Sequence, residues 1–271
     1  MTAAPPPVSI VMPVHGRADL TEACLQHLIA NTDDDRYELV VVDNASRDET
    51  PSLLARLDGA VRTVRNERNE GFAIACNQGA WAASGEHVVF LNNDTEPGPG
   101  WLEPLVAPLA DGEADVVGSL LTYPNGAVQH AGISWVRLPS TGDIHPLHIP
   151  GPCGGDPALI EQRRPVSAVT GACLAIRREV FLDLNGFCER YRNGYEDVDL
   201  CARVAGLGGV ILYEPASRVV HHESGTGDER FVAESANREL FRTRWSHRLA
   251  PDVIATPDAE AALVRSLAAV G

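Results

Sequence analysis

Residues 39–46 read Leu39-Val40-Val41-Val42-Asp43-Asn44-Ala45-Ser46. Four consecutive aliphatic residues with no polar alternation predict a strand buried on both faces, the pattern of a parallel sheet covered by helices. Asp43 closes the strand, and Asn44–Asp48 reads as a turn or cap for the next helix. Upstream, Val8–Pro13 predicts a strand and Arg17–Ala30 a helix, with Leu20, Cys24 and Leu28 at four-residue spacing as its apolar stripe. Downstream follow a helix at Glu49–Asp58, a strand at Val61–Val64, a helix at Phe72–Ala83 and a second continuous strand at His87–Asn92. This β-α-β-α order predicts an α/β fold.

Beyond Gly98 the pattern changes. A helix is predicted at Trp101–Ala110 and a strand at Asp115–Gly118, with a hairpin-type turn at Asn125-Gly126. Residues 135–165, rich in Gly, Pro and His, read as a flexible flap or acceptor-facing segment. Then come a strand at Ser167–Ile176, a helix at Glu196–Ala205 and a strand at Val210–Tyr213. Residues 232–249 read as a helix carrying Phe241, Trp245 and Leu249 on one face, and Thr256 before Pro257 predicts the cap of a final helix.

The 271 residues carry 22 basic and 37 acidic side chains, a formal net charge of −15. Such a field repels polyanions, so no nucleic-acid partner is expected and a phosphorylated ligand must be met locally. Every basic residue is arginine, which excludes a Schiff-base lysine and a P-loop lysine. No apolar run approaches the roughly 18 residues that would suggest a membrane span. Cys24, Cys76, Cys153, Cys173, Cys188 and Cys201 form no C-x-x-C pair, and residues 1–7 lack a basic leader, so reduced thiols and a cytoplasmic location are expected.

In an open parallel sheet, ligands gather beyond the carboxyl ends of the strands. Asp43 stands there, where a carboxylate can accept from a ribose hydroxyl or a nucleobase N–H. Asn92-Asn93-Asp94 closes the next buried strand, where a fixed carboxylate can hold a divalent cation and an amide carbonyl supplies a weaker ligand. Glu196, Asp197 and Asp199 open a helix. The macrodipole stabilises acids in a first turn, yet a positioned carboxylate is also what a hydroxyl nucleophile needs for deprotonation, so position alone leaves both readings open. His221-His222-Glu223 offers an imidazole ligand suited to Mn²⁺ or Mg²⁺, without the Cys/His spacing of a zinc site.

Taken in order, Val8–His15, Val41–Ser46, Asn69-Glu70-Gly71-Phe72-Ala73 with Asn77, Leu91–Asp94, Gly171-Ala172-Cys173, Glu196–Leu200 and His221–Ser224 resemble family 2 glycosyltransferases with a GT-A fold. The likeness spans about residues 8–249 and is greatest to bacterial rhamnosyltransferase-like members that build polysaccharide or decorate secondary metabolites. It implies a single large domain with a Rossmann-like mixed, mainly parallel sheet flanked by helices. Residues 1–118 would form the nucleotide-sugar-binding half, residues 119–249 the acceptor-binding and catalytic half, and residues 250–271 a tail helix.

The resemblance also implies inverting, metal-dependent transfer from a UDP- or dTDP-sugar, with GDP-sugars a further donor class, to a hydroxyl acceptor, using Mn²⁺ or Mg²⁺. Pro13, His15, Asp43, Asn69, Gly71 and Asn77 would cradle the nucleoside, with Asn92 and Asn93 also on the donor side. Asp94 and His221 would be the metal ligands, with His222 as a second candidate. Asp197 would be the base, and Glu196 and Asp199 acceptor contacts. One departure stands out: the usual Asp-x-Asp metal motif is Asn92-x-Asp94, which removes a charged ligand. Two alternatives remain at this level. A sugar nucleotidyltransferase would need a Gly-rich loop where Pro13-Val14-His15-Gly16-Arg17 has one glycine, and a non-catalytic nucleotide-sugar binder is suggested by Asn92.

Overall fold

The structure, a computed structural model, describes residues 7–150, 157–223 and 233–269. β1 (Val8–Val14), α1 (Ala18–Asn31), β2 (Tyr37–Asp43), α2 (Thr50–Ala55), β3 (Arg62–Arg65), α3 (Phe72–Ala82) and β4 (His87–Leu91) follow the expected alternation, and their strands pair in parallel in the order β4-β1-β2-β3. β5 (Thr95–Pro97), α4 (Leu102–Ala110), β6 (Val116–Thr122) and β7 (Val128–His130) come next, then β8 (Ile133–Arg137), β9 (Ile144–His148), β10 (Arg164–Pro165) and β11 (Cys173–Arg177). The chain continues through α5 (Arg178–Asp183), α6 (Glu196–Gly206), β12 (Ile211–His221), α7 (Glu234–Trp245), β13 (Val253–Ile254) and α8 (Pro257–Ala269).

One mixed sheet in the order β10-β12-β6-β11-β4-β1-β2-β3 results. In it β11 lies antiparallel between β4 and β6, and β12 lies parallel to β6. β5 pairs with the far end of β12, and β7 with β6. The unbroken apolar strands are buried on both faces. Ile10, Met12, Val41 and Leu91 meet Cys24, Leu25 and Leu28 of α1 and Leu105 of α4. Val11, Val40, Val88 and Phe90 meet Ala73, Cys76 and Ala80 of α3. The buried stripe of α1 runs through Thr21, Cys24, Leu25 and Leu28, leaving Leu20 half-buried at its margin.

α3 lies so close to the sheet that a Cβ at Gly79 would stand 2.3 Å from Val11 Cγ1 and 3.2 Å from Val42 Cγ2. Gly79→Ala therefore overfills a packed interface and is expected to cost about 1–3 kcal/mol, read from urea unfolding, despite alanine's better helix propensity.

Two expectations are corrected. Residues 135–165 do not form a flap without structure: β8 and β9 make an antiparallel hairpin, extended by β13 on its other side. Asp252 fastens it, its carboxylate accepting from Trp135 N at 2.6 Å and its N–H donating to Trp135 O at 2.8 Å. The strands are short, and Pro139, Gly142 and Pro146 hide their alternation. Residues 151–156 of that stretch, with Cys153, lie outside the described residues. The strand expected at Val210–Tyr213 runs on to His221, because a register shift between Glu214 and Arg218 absorbs Pro215. That extension delivers His221 to the sheet's ligand-binding edge.

The final segment docks on the hairpin, with Leu263 and Ala255 against Val136 and Leu138. Thr256 Oγ1 accepts from Ala259 N at 3.3 Å as the predicted cap. Among the described residues no helix is long and apolar enough to cross a membrane.

Candidate active site

The strand ends of β1, β2 and β4 open on one edge, where the order passes β1 on both sides. Asp43 is 1% exposed there. Its Oδ1 accepts from Ser46 N at 2.8 Å, and its Oδ2 pairs with Arg65 at the end of β3. Asn44 is the hub of the rim. Its Nδ2 donates to Asn69 Oδ1 (2.8 Å) and Gly71 O (3.2 Å), while its Oδ1 accepts from Asn66 Nδ2 and Glu70 N, both at 3.0 Å. Asn69 and Gly71 thus frame the turn before α3. His15 Nδ1 contacts Asn44 O at 2.7 Å on the exposed side, and Pro13 is half-buried beside Val42 on β1. Asn77 does not reach this rim. It is buried, donating to Phe187 O (3.0 Å) and accepting from Phe187 N (2.8 Å), so it ties α3 to the segment after α5.

Beyond β4, His222 N donates to Asp94 O at 3.0 Å, continuing the β5–β12 pairing and setting the two segments side by side. Asp94 Oδ1 and His221 Nε2 then stand 3.2 Å apart, both nearly buried. His221 Nδ1 lies 2.7 Å from Gln129 Oε1, and an amide oxygen can only accept. Nδ1 therefore carries a proton, and in the neutral ring the Nε2 lone pair points toward Asp94. Asn92 Nδ2 lies 3.4 Å from the same nitrogen. One imidazole nitrogen and one carboxylate oxygen make a mixed N/O set that fits Mn²⁺ or Mg²⁺. Among the described residues no group of three or more His, Cys, Asp or Glu converges to hold a metal, so these two side chains alone leave a coordination sphere to be completed by donor oxygens.

Two neighbours are turned elsewhere. Side chains alternate along a strand, so His222 faces Glu96 Oε1 at 2.8 Å rather than Asp94, and it is removed from the ligand candidates. Asn93 Nδ2 donates to Thr21 Oγ1 at 2.9 Å, bracing α1 instead of facing the donor.

Asp197 opens α6. Its Oδ2 accepts from Gly171 N at 2.9 Å and its Oδ1 from Val198 N at 2.8 Å. Ala172, the next residue, accepts from Asn92 N at 3.0 Å, so Asp197 is lashed to the β4 end within two residues of chain. His148, at the tip of β9, feels the charges of Asp197, Glu223 and His221, so the hairpin faces this edge too.

Asp199 and Glu196 do not serve as open acceptor contacts. Two helical residues apart means about 200° of rotation, which turns Asp199 away from Asp197 into the protein. There Asp199 is 0% exposed and binds Arg203 Nε (2.8 Å), Arg244 (2.9 Å) and Trp245 Nε1 (2.9 Å). Glu196 is 5% exposed and accepts from Gly194 N at 2.7 Å. Burial, then the Asp197 charge, pushes its carboxyl up to about 8, so it is protonated at neutral pH. In the unfolded chain it ionises near 4.5, so between these values the folded state binds the extra proton and rising pH erodes stability. Thermal unfolding is expected to show wild type losing stability relative to Glu196→Gln from pH 5 to about pH 8, with the difference levelling off above that. A constant difference would mean Glu196 is ionised in the folded protein.

Sequence reasoning missed Asn44 as the hub, Gln129 behind His221, Gly171 under Asp197, and Arg17. Arg17 takes a left-handed backbone (φ 57°) in the β1–α1 turn and lies in the field of Asp94 while paired with Asp19. The signal for Arg17 was its place directly after a strand-end glycine. Gln129 carried none.

Comparison with known families matches residues 9–184 to "Glycosyl transferase family 2". The O-antigen biosynthesis protein RfbC of Myxococcus xanthus is 35% identical over 226 residues, covering 82% of this chain and 18% of that protein. An N-acetylglucosaminyl-diphospho-decaprenol L-rhamnosyltransferase of Mycobacterium tuberculosis is 29% identical over 214 residues, 69% of this chain and 66% of that one. The chain thus spans only part of the curated relatives it matches, from 18% of the O-antigen protein to 66% of the rhamnosyltransferase. Among solved structures, a mannosyltransferase from Pyrobaculum calidifontis in complex with GDP-Man and Mn²⁺ superposes with a TM-score of 0.62 at 21% identity, covering 99% of this chain and 77% of that one.

Proposed function

The chain belongs to glycosyl transferase family 2, with the GT-A fold, and from that premise we propose that it transfers a sugar from a UDP- or dTDP-sugar to a hydroxyl acceptor with inversion, assisted by Mn²⁺ or Mg²⁺. The observation that carries this reading is the meeting, at one sheet edge, of the Asp94–His221 pair with Asp197, joined through Gly171, Ala172 and Asn92. The O-antigen biosynthesis relative supports a polysaccharide as the product class.

In this mechanism Asp43, His15, Pro13 and the Asn69–Gly71 turn hold the nucleoside, and Asn44 keeps that rim rigid. Asp94 and His221 would hold the cation, with Asn92 as neutral neighbour. When bound, the cation supplies positive charge where the leaving diphosphate accumulates negative charge. In a protein of net charge −15, that local charge also offsets repulsion of the donor. Asp197 accepts the acceptor hydroxyl's proton as the oxygen bonds to the anomeric carbon and the diphosphate departs from the opposite face. Its two backbone N–H partners fix both carboxylate oxygens for that transfer.

Nucleotide release screened over UDP-, dTDP- and GDP-sugars, with and without Mn²⁺, tests reaction class and metal need together. Release of nucleoside diphosphate that depends on the metal is expected. Pyrophosphate release from a nucleoside triphosphate would replace this reading with a nucleotidyltransferase, and donor binding without turnover across acceptors would replace it with a binding protein.

A further inference from the structure

We propose that Gln129 is a positioning residue: it fixes the tautomer and orientation of His221 so that the Nε2 lone pair is presented to a cation at Asp94. The inference rests on the metal-assisted reading above. Its first support is backbone geometry. Where β7 pairs with β6, Leu121 opposes His130 and Thr122 opposes Val128, so Gln129 is an extra residue at a register shift. A bulge of this kind re-aims the side chain it carries. β12 runs along the other side of β6, with Val219 opposite Leu121 and Val220 opposite Thr122. The Gln129 side chain therefore meets His221 from across one intervening strand.

The second support is hydrogen-bond chemistry. Gln129 Nε2 has two oxygens near it, His221 O at 3.4 Å and Glu223 Oε2 at 3.5 Å. The amide nitrogen donates and those oxygens accept, so the amide orientation is settled without reference to the ring. Its carbonyl oxygen is left facing His221 Nδ1 at 2.7 Å, a short contact that requires Nδ1–H. In the neutral ring, the form that can bind a cation, that is the single ring proton and Nε2 carries the lone pair. Asn92 Nδ2 at 3.4 Å is a donor to that nitrogen, and Asp94 Oδ1 at 3.2 Å is a second pair of electrons aimed at the same space. Without Gln129 the proton could move to Nε2 and bridge to Asp94, closing the site with a hydrogen bond. The outer partner is an amide, not a carboxylate, so it selects the tautomer without adding charge to the imidazole.

The test uses the full chain with ¹⁵N-labelled histidine, His221 being identified by the resonance lost in His221→Ala. Long-range ¹H–¹⁵N correlation at pH 7.5 without metal is expected to show the Nδ1–H form in wild type and in Gln129→Glu, which keeps the acceptor. A shift toward Nε2–H is expected in Gln129→Leu. Binding of Mn²⁺ alone, followed by the electron-spin signal of the free ion, is expected to weaken about 10- to 100-fold in Gln129→Leu and to stay at or above wild-type affinity in Gln129→Glu. Retention of Nδ1–H in Gln129→Leu, or unchanged Mn²⁺ affinity there, overturns the proposal. Equal Mn²⁺ binding by wild type and His221→Ala would instead overturn the metal assignment itself, while the tautomer spectrum still decides the role of Gln129.

Discussion

Asp197→Asn is expected to lower transfer turnover by about 10²- to 10⁴-fold while leaving donor affinity within a few-fold of wild type. The substitution is nearly isosteric: Asn Oδ1 can still accept the Gly171 N–H that Asp197 now accepts at 2.9 Å, while the hydrogen bond from Val198 N is given up, a change confined to the first turn of α6. What disappears is the capacity to take a proton. The amide cannot act as a base, so the acceptor oxygen must attack while still protonated. The donor rim at Asp43 and Asn44 is built from other elements, which is why binding and turnover separate. Steady-state turnover together with calorimetric donor binding reads both halves. Wild-type turnover in the variant would remove Asp197 from the mechanism, and loss of donor binding would make it a donor residue instead.

Asp199→Ala, two residues further along, is expected to act on stability rather than chemistry, by about 3–5 kcal/mol. The carboxylate is fully buried between two guanidiniums and the Trp245 indole N–H. Removing it leaves those charges facing each other and orphans a buried donor. Arg203 retains Leu184 O and Gly186 O, and Arg244 retains the Trp245 ring, so the protein is expected to fold with α7 loosened from α6. Against a typical domain stability of about 5–15 kcal/mol, the change should be plain in urea unfolding at 25 °C. Asp199→Asn should recover only part of the loss, because an amide oxygen accepts the indole N–H but offsets neither guanidinium. An Asp199→Ala variant with wild-type stability and impaired acceptor affinity would restore Asp199 as a substrate contact.

The contrast between these two acids marks how far the sequence could be read. The β-α alternation through residue 91 was legible because an unbroken apolar run such as Leu39–Val42 has one stable use, a strand covered on both faces. The strand-end acids were legible for the same reason, since a chain leaving such a sheet must expose polar residues at its edge. The hairpin at residues 133–148 was not legible. Its strands are five residues each, one containing a proline, and their order comes from Asp252 and β13, more than a hundred residues away in the chain.

The amino-acid sequence by itself determined the α/β class, the family likeness and the residue types at the ligand edge, because burial on both sheet faces and strand-end polarity are local patterns. Only the tertiary structure decided which members of each polar cluster do what. It turned Asp199 and Glu196 inward while leaving Asp197 at the rim, gave His222 to Glu96, spent Asn77 and Asn93 as braces, and set Gln129 behind His221. The physical reason is directional. Rotation around a helix, alternation along a strand and a one-residue bulge each re-aim a side chain by an amount that only long-range packing fixes, and hydrogen bonds and charges act over distances shorter than that displacement.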